Sequence, residues 1–255
     1  MTLTSYAICD TGLIRDENQD NLFINGAIRE SAEDTSVFRH FDVSEGRGIY
    51  AVADGMGGGS HGGLASLVTV REMQDKDFYK DHNSMSQFLL QCNENICELM
   101  NENKSGRMGS TFVGLCIDGE NGVVTNIGDS RIYLFRCDEL SQLSIDHTSI
   151  RQMVELGVIT EDAARTHPDR HRLTQHLGIF SSEMLIEPHT KQIDLQVRDI
   201  FLLCSDGLTD MLTDGDIQRI LSTNSTKEEK AETLFAEALK NGGRDNITIV
   251  IVAVF

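Results

Sequence analysis

The sequence predicts an α+β fold in which antiparallel sheets are covered by helices. Seven short apolar segments, either alternating or continuous in hydrophobicity, have the length and composition of β-strands. Several of these segments follow one another across short turns, such as residues 118–122 and 126–130. Short turns connect antiparallel strands, whereas parallel strands need long crossovers. This order therefore argues against a strict alternation of strands and helices.

The apolar pattern places each predicted element. The predicted strands are residues 3–9, 48–53, 111–117, 122–127, 131–135, 199–204 and 247–254. One helix is predicted over residues 84–103, because its apolar side chains recur at helical spacing along one stripe: Met85, Phe88, Leu89, Cys92, Ile96, Leu99 and Met100. Similar patterns predict helices at residues 63–73, 148–156, 214–221 and 226–240.

Residues from about 144 to 182 differ from the rest of the chain. They contain four of the eight histidines, Pro168, and the arginines Arg165, Arg170 and Arg172, but no clear strand. We interpret the segment as a mostly helical excursion from the sheets, either a flap over a site or a solvated insertion. No repeat or linker divides the chain, so residues 1–255 are predicted to form a single domain.

The charge balance excludes two classes of partner. There are 22 basic and 40 acidic residues, which gives a formal net charge of −18. Nucleic acids and anionic membrane surfaces are bound through lysine and arginine, so neither is an expected partner. No apolar run reaches the roughly 18 to 20 residues that span a bilayer, and the first residues lack a signal-peptide pattern. We expect a cytoplasmic protein.

The six cysteines are Cys9, Cys92, Cys97, Cys116, Cys137 and Cys204, and none forms a CxxC pair. Cys116 and Cys204 lie within apolar runs, where a reduced thiol behaves as a small hydrophobic side chain. Buried free thiols are therefore expected, rather than a metal or redox framework.

Aspartates stand at the ends of the predicted strands. Asp54 and Asp206 each end an apolar run and are each followed by glycine. Asp129 lies in a turn between two strands, Asp245 precedes the last strand, and Asp20 precedes a short apolar stretch. A carboxylate at the end of a buried strand is costly without positive charge beside it. If these side chains converge at one end of a sheet, a divalent cation would relieve their repulsion.

The type of ligand indicates the metal. Oxygen ligands alone favour Mg²⁺ or Mn²⁺, whereas zinc prefers histidine and cysteine at short spacing, which these aspartates lack. Two such ions about 3.5 to 4 Å apart would lower the pKa of a bridging water and clamp a transferring phosphoryl group. Taken singly, each aspartate could equally be an ordinary turn residue.

Eight stretches stand out along the chain: GLIRDENQDN (12–21), VADGMGGGSHGGLAS (52–66), GSTFVG (109–114), NIGDSRIYLFR (126–136), IDHTSIRQMVELGVIT (145–160), HPDRHRLTQHLG (167–178), LLCSDGLTDML (202–212) and RDNITIVIV (244–252). In this order they resemble the metal-dependent protein serine/threonine phosphatase family of protein phosphatase 2C type, in its compact bacterial form. The resemblance implies two antiparallel sheets packed as a sandwich, flanked by helices on both sides, with a helical flap and a site at one end of the sheets.

The resemblance also implies roles for individual residues. Arg15 matches the arginine that grips the substrate phosphate, as a planar guanidinium does well. Asp54 matches the carboxylate that bridges two catalytic metals, and the carbonyl of Gly55 matches a further ligand. Asp206 and Asp245 match the carboxylates on one of the two metals. We expect Arg15, Asp54 and Asp206 to carry catalysis.

Further positions match less central roles. Asp20 matches an acidic residue that reaches the other metal largely through water, and Asp129 and Asp210 match positions that hold a third, weaker metal. The implied activity is hydrolysis of phosphoserine and phosphothreonine in proteins by a hydroxide that bridges two Mn²⁺ or Mg²⁺ ions, without a phosphoenzyme. The family also implies a eukaryotic-like kinase and its targets as partners, and we expect a monomer.

Two positions depart from the family pattern. Gln19 stands where many relatives have glutamate, so one water-mediated metal contact is weakened or neutral. Met56 stands where eukaryotic members have a histidine proposed as the general acid. His61 is close in sequence but is interpreted as a solvated loop residue. The acid that protonates the leaving group is therefore unassigned.

Other interpretations remain open at the sequence level. Cys9 and Arg15 have the C-x5-R spacing of cysteine-dependent phosphatases, but no helix pattern follows Arg15. Residues 57–62 match the dinucleotide-binding pattern GxGxxG. His167 and His171 have the spacing of a helical zinc pair, but we interpret them as flap surface because Pro168 lies between them. A catalytically weak binding or regulatory module of the same fold is the remaining alternative.

Overall fold

The computed structural model describes residues 1–58, 61–79, 81–103 and 106–255. Within them the strands are β1 (Thr2–Asp10), β2 (Asp20–Ile24), β3 (Phe38–Glu45), β4 (Arg47–Gly57), β5 (Met108–Ser110), β6 (Phe112–Asp118), β7 (Asn121–Ile127), β8 (Arg131–Arg136), β9 (Glu139–Gln142), β10 (His189–Asp194), β11 (Ile200–Cys204) and β12 (Ile247–Val254). The helices are α1 (His61–Glu72), α2 (Ser84–Asn103), α3 (Ser149–Glu155), α4 (Glu161–Arg165), α5 (Asp206–Thr209), α6 (Asp214–Leu221) and α7 (Lys227–Lys240).

The strands form two antiparallel sheets. The first has the order β3-β1-β12-β11-β8-β9, and the second has the order β10-β7-β6-β4-β2, with β5 paired to the end of β4. Strand β12 is central and is buried on both faces, which explains its continuous apolar sequence ITIVIVAV.

Three hydrophobic layers hold the sheets and helices together. Between the two sheets lie side chains such as Val52, Val113 and Val250. The outer face of the second sheet packs against α1 and α2. The outer face of the first sheet packs against α6 and α7, where Ile249 and Leu234 share one cluster. The result is the predicted sandwich of two sheets flanked by helices.

All seven predicted strands and all five predicted helices are present. The strands that the pattern missed are β2, β3, β5, β9 and β10. Three of them, β3, β9 and β10, lie at sheet edges with many exposed or half-buried polar residues, so they lack an apolar run. Residues 144–182 contain only α3 and α4, of 7 and 5 residues; the rest is turns and irregular chain, so the segment is less helical than predicted.

The cysteines are free thiols, as predicted. Five of the six are buried, and Cys137 is exposed. Among the described residues, no helix is both long and apolar enough to cross a membrane.

One end of the sandwich collects the strand ends that carry aspartates. Strand β4 ends there while β2 begins there, because the two are antiparallel. Strand β11 ends at the same level as β12 begins, and β7 is joined to β8 by the turn that holds Asp129. Antiparallel pairing thus gathers residues that lie more than 200 positions apart in the sequence.

Candidate active site

Asp20 and Asp54 form the inner part of the site. They are directly opposite each other in the register of β2 and β4. Asp20 is 1% exposed, and its Oδ2 accepts hydrogen bonds from Ser205 Oγ at 2.6 Å and Thr248 Oγ1 at 2.7 Å. Its Oδ1 is buried without a hydrogen-bond partner. Burial, with the charges of nearby aspartates, raises the pKa of Asp20 to about 7.

Asp54, the other member of this pair, is half-buried. Its backbone N–H donates to Thr111 Oγ1 at 3.1 Å, and its carbonyl accepts from the Thr111 N–H at 2.8 Å, so the main chain is fixed on both sides. The pKa of Asp54 is raised well above its usual value, mainly by burial and next by the negative charge of Asp20. The site therefore places carboxylates where their ionised forms are disfavoured.

Gly55 follows Asp54 where the chain passes close to the start of α1. A Cβ on Gly55 would lie 2.0 Å from the carbonyl oxygen of Gly62 and 2.6 Å from that of Gln19. Only glycine fits between these two backbone segments. The Gly55 N–H donates to the Gln19 carbonyl at 3.1 Å, which ties the end of β4 to the segment before β2.

Asp206 and Asp210 lie on the short helix α5 and its end. The ring of His171, from the 144–182 segment, lies between them: Nδ1 is 3.3 Å from Asp206 Oδ2, and Nε2 is 3.2 Å from Asp210 Oδ2. These two carboxylates raise the pKa of His171 to about 10, so the ring is protonated at neutral pH. Burial raises the pKa of Asp210, but His171 and Arg170 more than offset this and lower it overall.

Asp129 reaches the same place from the β7–β8 turn. One ligand atom each of Asp129, His171 and Asp206 lies within 4.8 Å of the others, a spacing that could hold a metal ion. Burial, followed by the charge of Asp206, raises the pKa of Asp129 well above its usual value. No sequence signal places a histidine beside these aspartates. His171 is exposed on the flap, and its ring also contacts Asp206 and Asp210. The pairing is made by the fold, because residues 144–182 return over α5.

Asp245 completes the site at the start of β12. Arg15 Nη2 donates to Asp245 Oδ2 at 2.7 Å, and the arginine side chain is 56% exposed. The charged head of Arg15 therefore stands at the mouth of the site. A bidentate anion arriving from solvent can reach it.

These residues surround one open cavity of about 760 Å³. Its lining includes most of the predicted site residues, namely Arg15, Asp54, Gly55, Asp129, Asp206 and Asp245, together with Gln19, Met56 and His171. Asp20 lies behind this lining, and Asp210 lies in a second cavity next to it. The fold thus brings every predicted site residue to one end of the sandwich.

The structure argues against the competing sequence motifs. Cys9 lies inside β1, where burial raises the pKa of its thiol to about 11, so a thiolate nucleophile is not formed. In the glycine-rich match, Gly59 and Ser60 lie outside the described residues, but β4 is antiparallel to both its neighbours in the sheet, unlike a dinucleotide-binding unit.

His61 and His167, the other two histidines singled out from the sequence, make local contacts. His61 begins α1, its Nδ1 is 2.6 Å from the Gly58 carbonyl, and it does not line the site cavity. His167 accepts a hydrogen bond from the Asp169 N–H, while His171 points to Asp206 and Asp210. His167 and His171 therefore do not form a zinc pair.

Three supporting residues were missed at the sequence level. Ser205 and Thr248 donate hydrogen bonds to Asp20. Asn246 Oδ1 accepts a hydrogen bond from the Gln19 N–H at 2.8 Å, which joins the site to the loop before β2. Ser205 and Asn246 stand directly beside predicted aspartates, and Thr248 lies three positions after Asp245. Adjacency to Asp206 and Asp245 was the only available signal.

The comparisons with known proteins agree with this geometry. Residues 44–255 match the family described as Stage II sporulation protein E (SpoIIE). The chain is 32% identical over 254 residues to the serine/threonine phosphatase stp of Listeria innocua, covering 95% of this chain and 92% of that protein. It is 30% identical to the protein phosphatase PhpP of Streptococcus pneumoniae, covering 96% and 95%. The chain belongs to the protein serine/threonine phosphatases of protein phosphatase 2C type.

A solved relative also matches the fold of this phosphatase. The crystal structure of the Mycobacterium tuberculosis serine/threonine phosphatase PstP/Ppp covers 100% of this chain, with a TM-score of 0.83 and 29% identity. The catalytic domain of PstP in complex with two manganese ions has a TM-score of 0.81 and 27% identity, with both chains fully covered. The predicted α+β sandwich of two antiparallel sheets is thereby confirmed.

Proposed function

We propose that the phosphatase hydrolyses phosphoserine and phosphothreonine in proteins at the cavity lined by Asp54, Asp206 and Asp245, with divalent cations bound there. The observation that carries the proposal is the convergence of aspartates from four distant segments on one cavity, with the exposed guanidinium of Arg15 at its mouth.

The residues present fit a pair of hard divalent cations. Asp20 Oδ1 is buried with no hydrogen-bond donor, and burial and mutual repulsion raise the pKa values of Asp20, Asp54 and Asp129. The unpaired oxygen of Asp20 and the raised pKa values of these three aspartates each indicate a carboxylate without enough positive charge beside it. Carboxylate and carbonyl oxygens are the ligands that Mn²⁺ and Mg²⁺ accept. The PstP catalytic domain was solved with two manganese ions.

Individual residues take distinct parts in this proposal. Asp54 would bridge the two cations, the Gly55 carbonyl and Asp20 would serve one of them, and Asp206 and Asp245 would serve the other. When bound, the cations would supply an activated water and neutralise charge on the phosphoryl group. Asp129 and Asp210 would hold a third, weaker ion.

Side chains of the protein would bind the substrate phosphoryl group and orient the carboxylates around it. Arg15 would receive the phosphoryl oxygens, because its planar guanidinium can donate two parallel hydrogen bonds. Ser205 and Thr248 hold Asp20 in one orientation. His171 supplies positive charge to Asp206 and Asp210 in this structure, a charge that a cation would replace.

The biological setting follows from the proposed reaction. The substrates are phosphoproteins, and a eukaryotic-like serine/threonine kinase is the expected source of them. We place the phosphatase in the cytoplasm as a monomer of one domain, with residues 144–182 as a flap beside the site. Six free thiols suit a reducing compartment.

The test is the release of phosphate from a phosphothreonine peptide by the purified protein, with EDTA, Mg²⁺, Mn²⁺ or Zn²⁺, and with and without thiol blocking. We expect turnover that needs Mn²⁺ or Mg²⁺ and ignores thiol blocking. Turnover without metal that is lost on thiol blocking would instead assign the chemistry to Cys9. No turnover with any metal would favour a binding or regulatory module of this fold.

A further inference from the structure

A second cavity of about 690 Å³ adjoins the proposed catalytic cavity. The two share three lining residues, Asp129, His171 and Asp206. The second cavity lies between α5 and the flap, which we define as residues 144–182. A substrate that places its phosphate in the first cavity would therefore have neighbouring residues close to the second.

Arginines are concentrated in this second cavity. Five of the 15 arginines of the sequence line it, namely Arg131, Arg151, Arg165, Arg170 and Arg244. The protein as a whole carries a formal charge of −18, so most of its surface repels anions. The lining of the second cavity also holds six carboxylates, namely Asp129, Asp146, Glu161, Asp206, Asp210 and Asp214, so acidic and basic groups are nearly balanced there whereas the protein as a whole is strongly acidic.

Two of these arginines are uncommitted. Every arginine lies in the described part of the chain, and four have neither an ion pair nor a side-chain hydrogen bond there: Arg165, Arg172, Arg198 and Arg244. By contrast, Arg131 is paired with Asp146, Arg151 with Glu161, and Arg170 with Asp210. Of the four free arginines, Arg165 and Arg244 line the second cavity and thus offer unused donors.

The two free arginines belong to different parts of the fold. Arg165 ends helix α4 in the flap, and Arg244 precedes β12 next to Asp245. One is therefore carried by the flap and the other by the sandwich. An anionic group that contacts both would be bound by the flap and by the sandwich together, and a carboxylate or phosphate accepts the paired hydrogen bonds of a guanidinium.

We propose that this cavity is a subsite for an anionic side chain of the substrate, either a second phosphoryl group or a carboxylate close in sequence to the scissile phosphate, bound by Arg165 and Arg244. The inference rests on the proposed function of the adjoining cavity. It extends that function to substrate choice: the phosphatase prefers phosphopeptides with a second negative charge near the phosphorylated residue.

The test compares phosphothreonine peptides that differ at one flanking position. One set carries alanine, aspartate, lysine or a non-hydrolysable phosphonate at each of the three positions on either side. We expect kcat/KM to be about tenfold higher for an anionic residue than for alanine at the favoured position, the gain of one charge-assisted contact. Aspartate and phosphonate distinguish a carboxylate from a second phosphoryl group as the natural ligand.

Variants assign the preference to the two arginines. The double variant Arg165→Ala/Arg244→Ala should lose the preference while it hydrolyses the alanine peptide and p-nitrophenyl phosphate as the parent does. Arg172→Ala removes a free arginine of the same flap that does not line the cavity, and it should keep the preference. Charge reversal, Arg165→Glu, should shift the preference toward lysine.

Two outcomes would overturn the inference. Equal kcat/KM for anionic and alanine peptides at every position would show that the cavity does not select substrates. A preference that persists in the double variant would place the selection elsewhere. Failure to hydrolyse any of the peptides, or p-nitrophenyl phosphate, would instead contradict the proposed function, so the two failures are distinguishable.

Discussion

Thr248 donates a hydrogen bond to Asp20 across 2.7 Å, from the start of strand β12 to the start of β2. Both residues are essentially unexposed to solvent. Together with Ser205, Thr248 leaves one oxygen of Asp20 satisfied and the other, Oδ1, without a partner. This arrangement fixes a buried carboxylate in one orientation and leaves its second oxygen unbonded, and outer partners of this kind strongly affect metal affinity.

Thr248→Val should therefore weaken Mn²⁺ binding, because it removes the donor while it keeps the shape of the side chain. We expect the dissociation constant for Mn²⁺ to rise by about tenfold, measured by calorimetric titration. Thr248→Ser should restore it. Thr69→Val is the matched control, since Thr69 is equally buried but donates to Ala65 inside α1. An equal effect of Thr248→Val and Thr69→Val would contradict the role of Thr248.

Asp20 should make the stability of the metal-free protein depend on pH. Burial raises its pKa to about 7 from an ordinary value of 3.8, so the folded protein holds this proton where the unfolded chain has lost it. The contribution of Asp20 to stability is present below about pH 4 and is lost as the pH rises through 7. In EDTA, Asp20→Asn should therefore gain stability over the parent as the pH rises from 4 to 7.

This prediction is measured by urea unfolding of both proteins across that pH range. A difference in unfolding free energy that stays constant with pH would contradict the raised pKa of Asp20. Asp118→Asn is a control, because Asp118 is an exposed partner of Arg47 far from the site.

Arg15→Ala should mainly raise KM for a phosphothreonine peptide. The guanidinium contacts the phosphoryl group before and during transfer, so its loss weakens binding in both states. We expect KM to rise by about tenfold, as for one lost charge-assisted contact, with a smaller change in kcat. Arg39→Ala removes an arginine of the first sheet with a comparable surface ion pair, and should have no effect. An unchanged KM for Arg15→Ala would remove Arg15 from the phosphate site.

Gly55→Ala should damage both the fold and the site. The added methyl group would meet the Gly62 carbonyl at 2.0 Å, which forces the start of α1 away from β4. We expect a loss of about 3 kcal/mol in unfolding free energy, together with weaker Mn²⁺ binding. Gly58→Ala is the matched control, because a Cβ there meets nothing within 4 Å. Equal stability of the two variants would contradict the close approach.

The sequence predicted the fold where burial follows a simple period. Strands such as β6 and β12 have apolar runs, and α2 has an apolar stripe. The edge strand β3 was missed because half of its residues are exposed and its pairing with β1 is long-range. No local sequence pattern indicates such a strand, because its extended conformation depends on its pairing with β1.

The site was predictable in its aspartates and not in their partners. Asp54 and Asp206 stand at strand ends, a position that the sequence displays directly. The contact of His171 with Asp206 was not predicted, because it depends on how the flap returns over α5, which no spacing in the sequence encodes. The burial of Asp20 beneath Thr248 likewise arises only when β2 and β12 meet.

The most direct test of the account is the turnover of a phosphothreonine peptide by Asp54→Asn at saturating Mn²⁺. Asp54 faces Asp20 in the register and lines the cavity, and it has no cationic side chain bonded to it in the described structure. Asparagine keeps the shape and removes the charge that a bridging ligand requires. We predict a folded protein, by circular dichroism and thermal unfolding, whose kcat falls at least a thousandfold, an expected loss of about 4 kcal/mol in transition-state stabilisation. Turnover within a few-fold of the parent would contradict the proposed two-cation site.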